Sequence, residues 1–581
     1  MKNRLLVFGC LLWVTLAQAQ QTVNPIRINQ EGYYVKGPKV AAIAGGGSAD
    51  KFYILAAAKN DTLYKGALSA VKQSSNSSLQ TKLADFSSFK QAGKFRMAVP
   101  GIATSYVFPI AAHVHHGSSV ALIKGYYYQR VSMPLEEKYA GKWHRAAGHP
   151  DMAVLIHPSA TSAKRPEGTV IASPGGWYDA GDYNKYIVNS GITMGTLLSA
   201  YEDFSSYFDT LRTNIPESNN KIPDLLDEVL YNLRWMLTMQ DPNDGGVYNK
   251  CTNAAFDGMV MPGVTKAPRY VVQKGTAATL DLAAVMAQAA RIYKKYDKQL
   301  PGLSDSCLRA AKQAWQWALQ NPAMAYDQEA MNKQFKPAVT TGGYGDRSFS
   351  DEWFWAASEL WTTTGEEAYF TTIAPELKSN LSLPSWANVR MLGYYTLLKS
   401  GKKWPAVPDT DINTQREKFI HFADAYLPAV EQSAFYTVMG RSKTDFVWGS
   451  SSVAANQGIV LIQAYRLTWN KKYLEAALTN LDYLLGRNAT GYCLVTGIGT
   501  CATMHPHHRP SVADGITEPV PGLLSGGPNP GKQDRCTYAF SEPETTYSDT
   551  DCSYASNEIA INWNAPAVYL AAAIEVLAVS F

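Results

Sequence analysis

Residues 222–237 read IPDLLDEVLYNLRWML, and this stretch decides the class of the fold. Its apolar residues recur at steps of three and four, at Ile222, Leu225, Leu226, Val229, Leu230, Leu233, Met236 and Leu237. This spacing gives a helix one apolar face, which must be buried against other elements. Similar patterns occur near residues 120–132, 190–207, 275–297, 302–320, 350–364, 367–377, 386–399, 413–432, 452–467, 471–486 and 557–577.

These helices, about twelve in number and joined by long irregular loops, are compatible with a closed ring of paired helices whose loop ends form a cleft. An open helical solenoid is the alternative, but the chain has no fixed-period repeat that favours it. The stretch 497–551 is rich in glycine and proline and shows little helical pattern. A loop of that length in a compact domain is usually functional or disordered, and its many His, Tyr and Asp residues favour a function.

The chain before residue 113 has a different pattern. Short β-rich runs occur at 39–44, 52–56, 94–99 and 106–111, separated by Gly, Pro, Asn and Ser. They predict a small antiparallel β-sandwich. With 581 residues, the chain is too long for one ordinary domain. We therefore expect a β-sandwich domain over 20–112, followed by a mainly α domain over 113–581.

The first residues, 1–19, predict a secretory signal. Lys2 and Arg4 precede an apolar run that ends in Ala17-Gln18-Ala19, a pattern typical of cleavage after a small residue. A lipid-modified Cys10 is the alternative, but Phe8 is not the small residue usual before such a site. No later stretch reaches the roughly 18–20 residues of a membrane span without charged residues. An exported protein, periplasmic or extracellular, is expected.

Charge and composition limit the partners. Removal of the predicted signal leaves a net charge of about +2, which argues against nucleic acid or an acidic membrane surface as the main partner. The chain has 14 Trp and 34 Tyr, which suggest carbohydrate stacking in an exported protein. Six cysteines remain outside the signal, and Cys493 with Cys501 is the most local candidate pair for a disulfide.

The segment 175–185, GGWYDAGDYNK, carries two aspartates, Asp179 and Asp182, between glycines and aromatic residues. Two nearby carboxylates repel each other and seek water, and glycine weakens helix and strand, so a shaped loop is predicted. Carboxylates beside aromatic faces suit an enzyme that holds a sugar ring and activates water. An acidic surface turn or a calcium loop is the alternative interpretation.

A second acidic position, Glu558, lies far along the chain, just before an apolar helical run. From position alone, a helix-start glutamate with Asn557 as cap explains it equally well. Glycosidases that retain configuration place their two carboxyl groups roughly 5–5.5 Å apart, and inverting ones roughly 6.5–9.5 Å apart. Asp179 and Asp182 as a pair suggest the shorter distance, whereas that pair opposite Glu558 suggests the longer one.

Three motifs in order resemble glycoside hydrolase family 9, the cellulase family of inverting β-1,4-glucanases. Residues 175–182 resemble its catalytic-base motif, and the tail 547–565 matches its C-terminal signature at every specified position. Between them, 495–499 and 506–509 resemble its substrate-binding motif, although Cys493 and Cys501 replace residues usual there. Residues 26–33, IRINQEGY, look like the immunoglobulin-like module that precedes many members. The resemblance covers essentially the whole mature chain and implies an (α/α)6-barrel catalytic domain after an immunoglobulin-like sandwich.

Carried over to this sequence, the resemblance implies three catalytic residues. Asp182 would be the general base that takes a proton from the attacking water, and Asp179 would help to hold that water. Glu558 would be the general acid, kept protonated by apolar surroundings. His507 and Arg509 would hydrogen-bond sugar hydroxyls, or Arg509 would instead orient a carboxylate. Further substrate-binding candidates are Trp177, Trp386, Trp448, Tyr554 and Asp549, and for each aromatic residue a place in the core is the alternative.

The same resemblance bears on two metal sites, a calcium loop and a structural zinc site. The segment 343–352, GYGDRSFSDE, resembles a family calcium loop in which Asp351, Glu352 and backbone carbonyls bind the ion. The alternative is that both acids merely begin a helix capped by Ser350. Many members also hold a structural zinc. Here His144 and His149 match its histidines, but Val131 and Gly148 stand where its cysteines would be, so we expect no such zinc.

The cluster of His505, His507 and His508 suggests a zinc site by its short spacing. It lacks a carboxylate or thiolate at a fixed spacing, which disfavours that interpretation.

The sequence thus predicts an inverting endo-β-1,4-glucanase, a monomer that needs no cofactor for its chemistry. The alternatives are an exo-acting cellobiohydrolase, cellodextrinase or β-glucosidase of the same family and, outside the enzymes, a carbohydrate-binding protein with an inactive site. Cellulose, mixed-linkage glucan, xyloglucan and glucomannan share the β-1,4 backbone, so the substrate among them stays open.

Overall fold

A computed structural model describes residues 23–45, 47–405 and 411–581 of the chain. The predicted signal, 1–19, lies outside these residues. The described part comprises a β-sandwich followed by a larger helical domain, as the sequence predicts.

The sandwich contains ten short strands in two sheets. They are β1 Ile26–Arg27, β2 Tyr33–Tyr34, β3 Val40–Ala44, β4 Lys51–Ala56, β5 Thr62–Ala67, β6 Lys72–Gln73, β7 Gln80–Asp85, β8 Gly93–Val99, β9 Ala103–Thr104 and β10 Phe108–Ala111. One sheet has the order β1-β3-β7-β6 and the other β2-β10-β8-β4-β5, with β9 on β8. Buried aromatic residues, among them Phe52, Phe95 and Phe108, fill the space between the sheets.

The helical domain begins with α1, His116–Tyr128. The other α-helices are α2 Glu137–Ala140, α3 Ile187–Phe208, α4 Asp224–Thr238, α5 Thr276–Tyr293, α6 Leu303–Gln320, α7 Gln328–Gln334, α8 Ser350–Thr364, α9 Glu367–Glu376, α10 Arg390–Lys399, α11 Ile412–Asp424, α12 Leu427–Gln432, α13 Ser450–Thr468, α14 Lys471–Leu484, α15 Arg509–Ala513, α16 Tyr554–Asn557 and α17 Ile561–Leu577.

Twelve of these helices form the predicted (α/α)6 barrel. The inner helices are α3, α5, α8, α10, α13 and α17, and their outer partners are α4, α6, α9, α11, α14 and α1. Helix α3 packs against both α5 and α17, and α11 contacts α10 and α13, which closes the ring. The stretch 222–237 supplies most of α4, an outer helix whose single apolar face packs inward.

The inner helices are apolar on nearly every side, because the core surrounds them. Helix α5 and helix α17 are buried along almost their whole length. By length and composition the segment Ile561–Ser580 could span a membrane, but 72% of its apolar window is buried inside the domain. That burial is typical of a core helix.

Two predicted helices differ from those observed. The helix predicted over 413–432 is two helices, α11 and α12, with Pro428 in the first turn of α12. Helix α7 was not predicted. The last helix begins at Ile561 rather than 557, so Glu558 is not in its first turn.

A small sheet at one end of the barrel positions the Asp179–Asp182 loop. Its strands are β11 Val154–Ile156, β12 Val170–Ile171, β13 Lys185–Tyr186, β14 Lys250–Asn253 and β15 Arg269–Val271, in the order β12-β11-β15-β14-β13. Strand β13 follows the loop directly and leads into α3 at Ile187. The loop is therefore held between this sheet and an inner helix.

Candidate active site

The three sequence motifs meet through backbone contacts at one end of the barrel. Ala180 forms an antiparallel bridge with Ala560, and His507 a parallel bridge with Glu558. The backbone N–H of Arg509 donates to the carbonyl of Gly181 at 3.2 Å. A Cβ on Gly181 would lie 2.1 Å from the carbonyl oxygen of His507, so only glycine allows the two segments to approach this closely.

Asp179 is buried and held from two sides. Its Oδ1 accepts from the side-chain amide of Asn189 at 2.5 Å, and its Oδ2 from the hydroxyl of Tyr344 at 2.8 Å. Burial, followed by the charge of Asp182, raises the pKa of Asp179 to about 8. Burial favours the neutral form of a carboxyl group, and a neighbouring negative charge adds to the effect.

Asp182 is held through one carboxylate oxygen. Its Oδ2 accepts from the side chain of Asn184 at 2.6 Å and from the hydroxyl of Tyr186 at 3.0 Å. Among the described residues, no hydrogen-bond donor contacts its Oδ1. One oxygen is thus anchored, and the other is left for a ligand or water.

Glu558 lies in an extended segment between α16 and α17, and it lines the same cleft as the two aspartates. The interpretation of this residue as a helix-start glutamate is therefore wrong. Burial, then the charges of Asp182 and Asp179, raise the pKa of Glu558 well above its usual range, although Arg509 acts in the opposite direction. The site thus favours a protonated Glu558.

His507 and Arg509 flank these carboxyl groups. The Nδ1 of His507 is 2.6 Å from the carbonyl oxygen of Asp551. A carbonyl only accepts, so Nδ1 carries the proton, and the Nε2 of the neutral ring is an acceptor. Burial also lowers the pKa of His507 and keeps the ring neutral. Arg509 donates from Nη1 to the carbonyl of Gly181 at 2.7 Å and from Nε to that of Asp257 at 3.0 Å.

These residues line one cleft of about 480 Å³. Its other walls include Trp448 and Tyr554, whose rings are 5.5 Å apart, and the ring of Phe256. Trp448 is 41% exposed and presents an apolar face. Aromatic faces beside convergent polar groups are what a sugar-binding site requires.

The structure places three other predicted substrate-binding residues outside the lining of this cleft. Trp177 is completely buried against Tyr126, so it is a core residue and cannot stack on a sugar. Both carboxylate oxygens of Asp549 accept backbone N–H groups, from Met504 and His505, and so hold a loop in place. Trp386 is partly buried behind Tyr344, with ring centroids 5.4 Å apart.

Sequence reasoning missed several residues that contribute to the site. Tyr344 and Tyr186 orient the two aspartates, and Phe256 and Thr341 line the cleft. Tyr344 stands between two glycines in the predicted calcium loop, a signal that could have marked it. Tyr186 follows the Asp179–Asp182 loop directly, on β13. Phe256 and Thr341 have no local signal, because distant loops bring them to the cleft.

Asp351 and Glu352 are part of a buried acidic cluster that also includes Asp281 and Asp346. Asp351 accepts the backbone N–H of Val389 at 2.8 Å. Both carboxylate oxygens of Glu352 and of Asp281, and one of Asp346, are buried without a hydrogen-bond partner. Burial first, then the charge of Asp351, raises the pKa of Glu352 well above its usual range. Within the described residues, no three His, Cys, Asp or Glu side chains form a ready metal site.

The histidines considered for zinc do not share a centre. His508 is buried and contacts Gln129 and Ser511, whereas the backbone of His505 is bound by Asp549. His149 contacts the hydroxyl of Tyr178 at 2.8 Å.

A disulfide joins Cys536 to Cys552, six residues before Glu558. Cys493 and Cys501, the most local candidate pair, are buried and not joined. In the loop that precedes the disulfide, Asp534 accepts the backbone N–H of Ala555 at 2.8 Å. The cross-linked loop therefore braces the segment that carries Glu558.

Family models match both parts of the chain. The model for the cellulase N-terminal ig-like domain matches residues 21–104, and the model for glycosyl hydrolase family 9 matches residues 119–571. The chain belongs to glycosyl hydrolase family 9. It is therefore an enzyme that cleaves glycosidic bonds, and the predicted family is confirmed.

Individual relatives match nearly the whole length of this family 9 chain. A xyloglucan-specific endo-β-1,4-glucanase of Bacteroides ovatus is 45% identical over 99% of this chain and 98% of its own. Endoglucanase D of Acetivibrio thermocellus is 34% identical over 95% of this chain and 84% of its own. A solved Bacteroides ovatus GH9 structure, also 45% identical, has a TM-score of 0.91 and covers 95% of this chain and 99% of that one.

Proposed function

We propose that this protein hydrolyses internal β-1,4-glucosidic bonds with inversion at the anomeric carbon. The chain is an endo-β-1,4-glucanase, as its motifs predict. The observation that carries the mechanism is that Asp179, Asp182 and Glu558 line one cleft. An enzyme of this type needs an ionised base and a protonated acid on opposite sides of the bond.

Asp182 is the general base in this mechanism. Its Oδ2 is anchored by Tyr186 and Asn184, so its Oδ1 can accept a proton from water that attacks the anomeric carbon. Burial and the charge of Asp182 raise the pKa of Asp179 to about 8, which favours a protonated Asp179 at neutral pH. Asp179 helps to hold the water that Asp182 activates.

Glu558 is the general acid. Its raised pKa keeps it protonated, and it donates that proton to the departing glycosidic oxygen. One water is consumed: its hydroxyl joins the sugar, its proton goes to Asp182, and the leaving chain receives the proton of Glu558. The Nε2 of His507 accepts from a sugar hydroxyl, and Arg509 donates to one.

The stereochemical test is proton NMR of the first product. Inversion yields a reducing end that is initially α, and an initially β product would contradict the proposal. Endo action is tested on carboxymethylcellulose and cellohexaose. A rapid loss of viscosity with mixed early products is expected, whereas one small product from the start would support the exo-acting alternative.

We propose xyloglucan as the preferred glucan, which is the substrate in the name of the Bacteroides ovatus relative. That relative matches 99% of this chain, so the whole cleft lies within the matched region. The test compares kcat/KM on xyloglucan, carboxymethylcellulose, glucomannan and mixed-linkage glucan at equal backbone concentration. Equal or lower values on xyloglucan would refute the preference.

Calcium bound near Asp351 and Glu352 is a further proposal. The unpartnered oxygens of Glu352, Asp281 and Asp346 are hard donors in a buried position, which suits calcium when backbone carbonyls complete the set. Calcium there would stabilise the fold and take no part in the chemistry. Dialysis against EGTA should lower the Tm, and added Ca²⁺ should restore it. An unchanged Tm would indicate that these carboxyl groups are protonated and bind no calcium.

The protein is exported. The predicted signal and the Cys536–Cys552 disulfide both suit an oxidising compartment. We propose a periplasmic or extracellular monomer, with the boundary between its domains at residues 112–113. Fractionation of the producing cell and light scattering of the purified protein test these points.

A further inference from the structure

A second cavity, of about 370 Å³, lies where the β-sandwich meets the barrel domain. The sandwich contributes Arg27, Ser78 and Leu79, and the barrel domain contributes two segments, 489–492 and 540–547. None of its lining residues lines the catalytic cleft. We propose that this cavity is a second carbohydrate site, which binds a gluco-oligosaccharide segment of the substrate.

Three aromatic residues form the apolar part of this cavity. Tyr492 and Tyr547 are buried, with ring centroids 5.3 Å apart. Phe540 is 59% exposed at the edge, although a side chain of this size and polarity usually lies in the core. A sugar ring presents C–H groups on its faces, and an exposed aromatic ring is the surface on which such a face packs.

Polar groups in the same cavity can bind hydroxyls. The Nη1 of Arg27 donates to the carbonyl of Asn24 at 2.9 Å, but its Nε is buried without a hydrogen-bond partner. No carboxylate of the described residues is within ion-pair distance of this guanidinium, and burial lowers the pKa of Arg27 to about 10. A buried donor without a partner is costly, so a ligand that accepts from it gains a full hydrogen bond.

Glu542 supplies a fixed acceptor in the same cavity. Its two carboxylate oxygens accept the backbone N–H of Ser78 at 2.7 Å and the hydroxyl of Ser78 at 3.1 Å. Each oxygen has a further lone pair for a hydroxyl donor. A sugar hydroxyl is both donor and acceptor, so the hydroxyls of a bound gluco-oligosaccharide segment can pair with both Arg27 and Glu542. A simple carboxylate ligand would be repelled by Glu542.

The choice of this ligand rests on the proposed glucanase function. The glucan substrate is a polymer that is present around the enzyme at high local concentration. A chain held at this site stays near the cleft, so the second site lowers the KM for polymer without changing the chemistry. The test must therefore separate the two sites.

The probe is a thio-linked cellotetraose, which glycosidases cleave poorly, titrated into the full enzyme by calorimetry. We expect two binding events in the wild type. Phe540→Ala should weaken one event about tenfold, whereas Trp448→Ala should weaken the other. Trp469→Ala is the matched control, because Trp469 is an aromatic residue with 73% exposure that lines neither cavity. Arg27→Lys keeps the charge but removes Nε, and should weaken the same event as Phe540→Ala.

A single event that is lost in Trp448→Ala would overturn this proposal while leaving the catalytic cleft intact. Two events that are both insensitive to Phe540→Ala would also overturn it. Absence of the Trp448-sensitive event would instead argue against the proposed glucanase function. As an independent readout, Phe540→Ala should raise the KM for polymeric glucan severalfold and leave kcat on cellotetraose unchanged. An unchanged KM on the polymer would count against the site.

Discussion

A methyl group added at Gly181 should push apart the two backbone segments that form the active site, those of Gly181 and His507. A Cβ there would lie 2.1 Å from the carbonyl oxygen of His507, and Cβ contacts shorter than 3.0 Å are essentially never observed. Gly181→Ala must therefore push the two backbone segments apart by about 1 Å. The neighbouring bonds from Arg509 to the carbonyl of Gly181, at 3.2 and 2.7 Å, would lengthen with them.

This displacement acts directly on the chemistry, because Asp182 follows Gly181 and Glu558 is bridged to His507. A misplacement of about 1 Å between reacting groups costs roughly a hundredfold in rate. We expect kcat on cellohexaose to fall about a hundredfold in Gly181→Ala. The overpacking should also destabilise the protein by about 1–3 kcal/mol.

The assay is steady-state hydrolysis with the Tm measured in parallel, so that loss of folded protein is not mistaken for loss of rate. Gly258→Ala is the control. It lies beside Asp257, whose carbonyl binds Arg509, but a Cβ on Gly258 meets no atom within 4 Å. It should keep kcat within about twofold, since no atom is displaced. If folded Gly181→Ala retained kcat within twofold of the wild type, the reasoning from close approach would be refuted.

Three further predictions follow from the site and its supports. Glu558→Gln should lower kcat about 10²–10⁴-fold. Because the acid acts when protonated and its pKa is raised, wild-type activity should fall as the pH rises past that pKa. The residual rate of the variant should lack this alkaline limb. An unchanged pH–rate profile in the variant would contradict the assignment. Trp448→Ala should raise KM about tenfold with little change in Tm. Trp177→Ala should lower the free energy of unfolding, measured with denaturant, by about 3–5 kcal/mol. Equal effects of the two variants on Tm would show that both are core residues. The double variant Cys536→Ser and Cys552→Ser should lose about 3 kcal/mol, since the cross-link closes a loop of 16 residues, and reductant should lower the Tm of the wild type but not of this variant.

Local sequence was sufficient for most elements of the fold. The apolar spacing of 222–237 predicted a helix, and α4 spans Asp224–Thr238. The error at 413–432 arose because its apolar pattern continues across the break between α11 and α12, just before Pro428 in the first turn of α12. Helix α7 was missed because its seven residues are too few to show a period.

The tryptophans show that the sequence could not assign aromatic residues to the cleft or to the core. Trp177 lies beside the catalytic loop in sequence but is buried against Tyr126, whereas Trp448, far away in sequence, lines the cleft. Which face of a loop points to the core depends on neighbours that are distant in the chain. Sequence spacing therefore identified Asp179 and Asp182 but could not assign the aromatic residues.

By itself the sequence predicted the order of the domains and a set of paired helices, because apolar periodicity is a local property of the chain. The closed barrel and the three candidate catalytic carboxyl groups followed from the resemblance of its short motifs to glycosyl hydrolase family 9. Only the tertiary structure decided the state and surroundings of those carboxyl groups. It buries Asp179 beside Tyr344 and sets Glu558 in an extended segment bridged to His507. A pKa depends on burial and on charges across space, and these are fixed only when distant segments pack together.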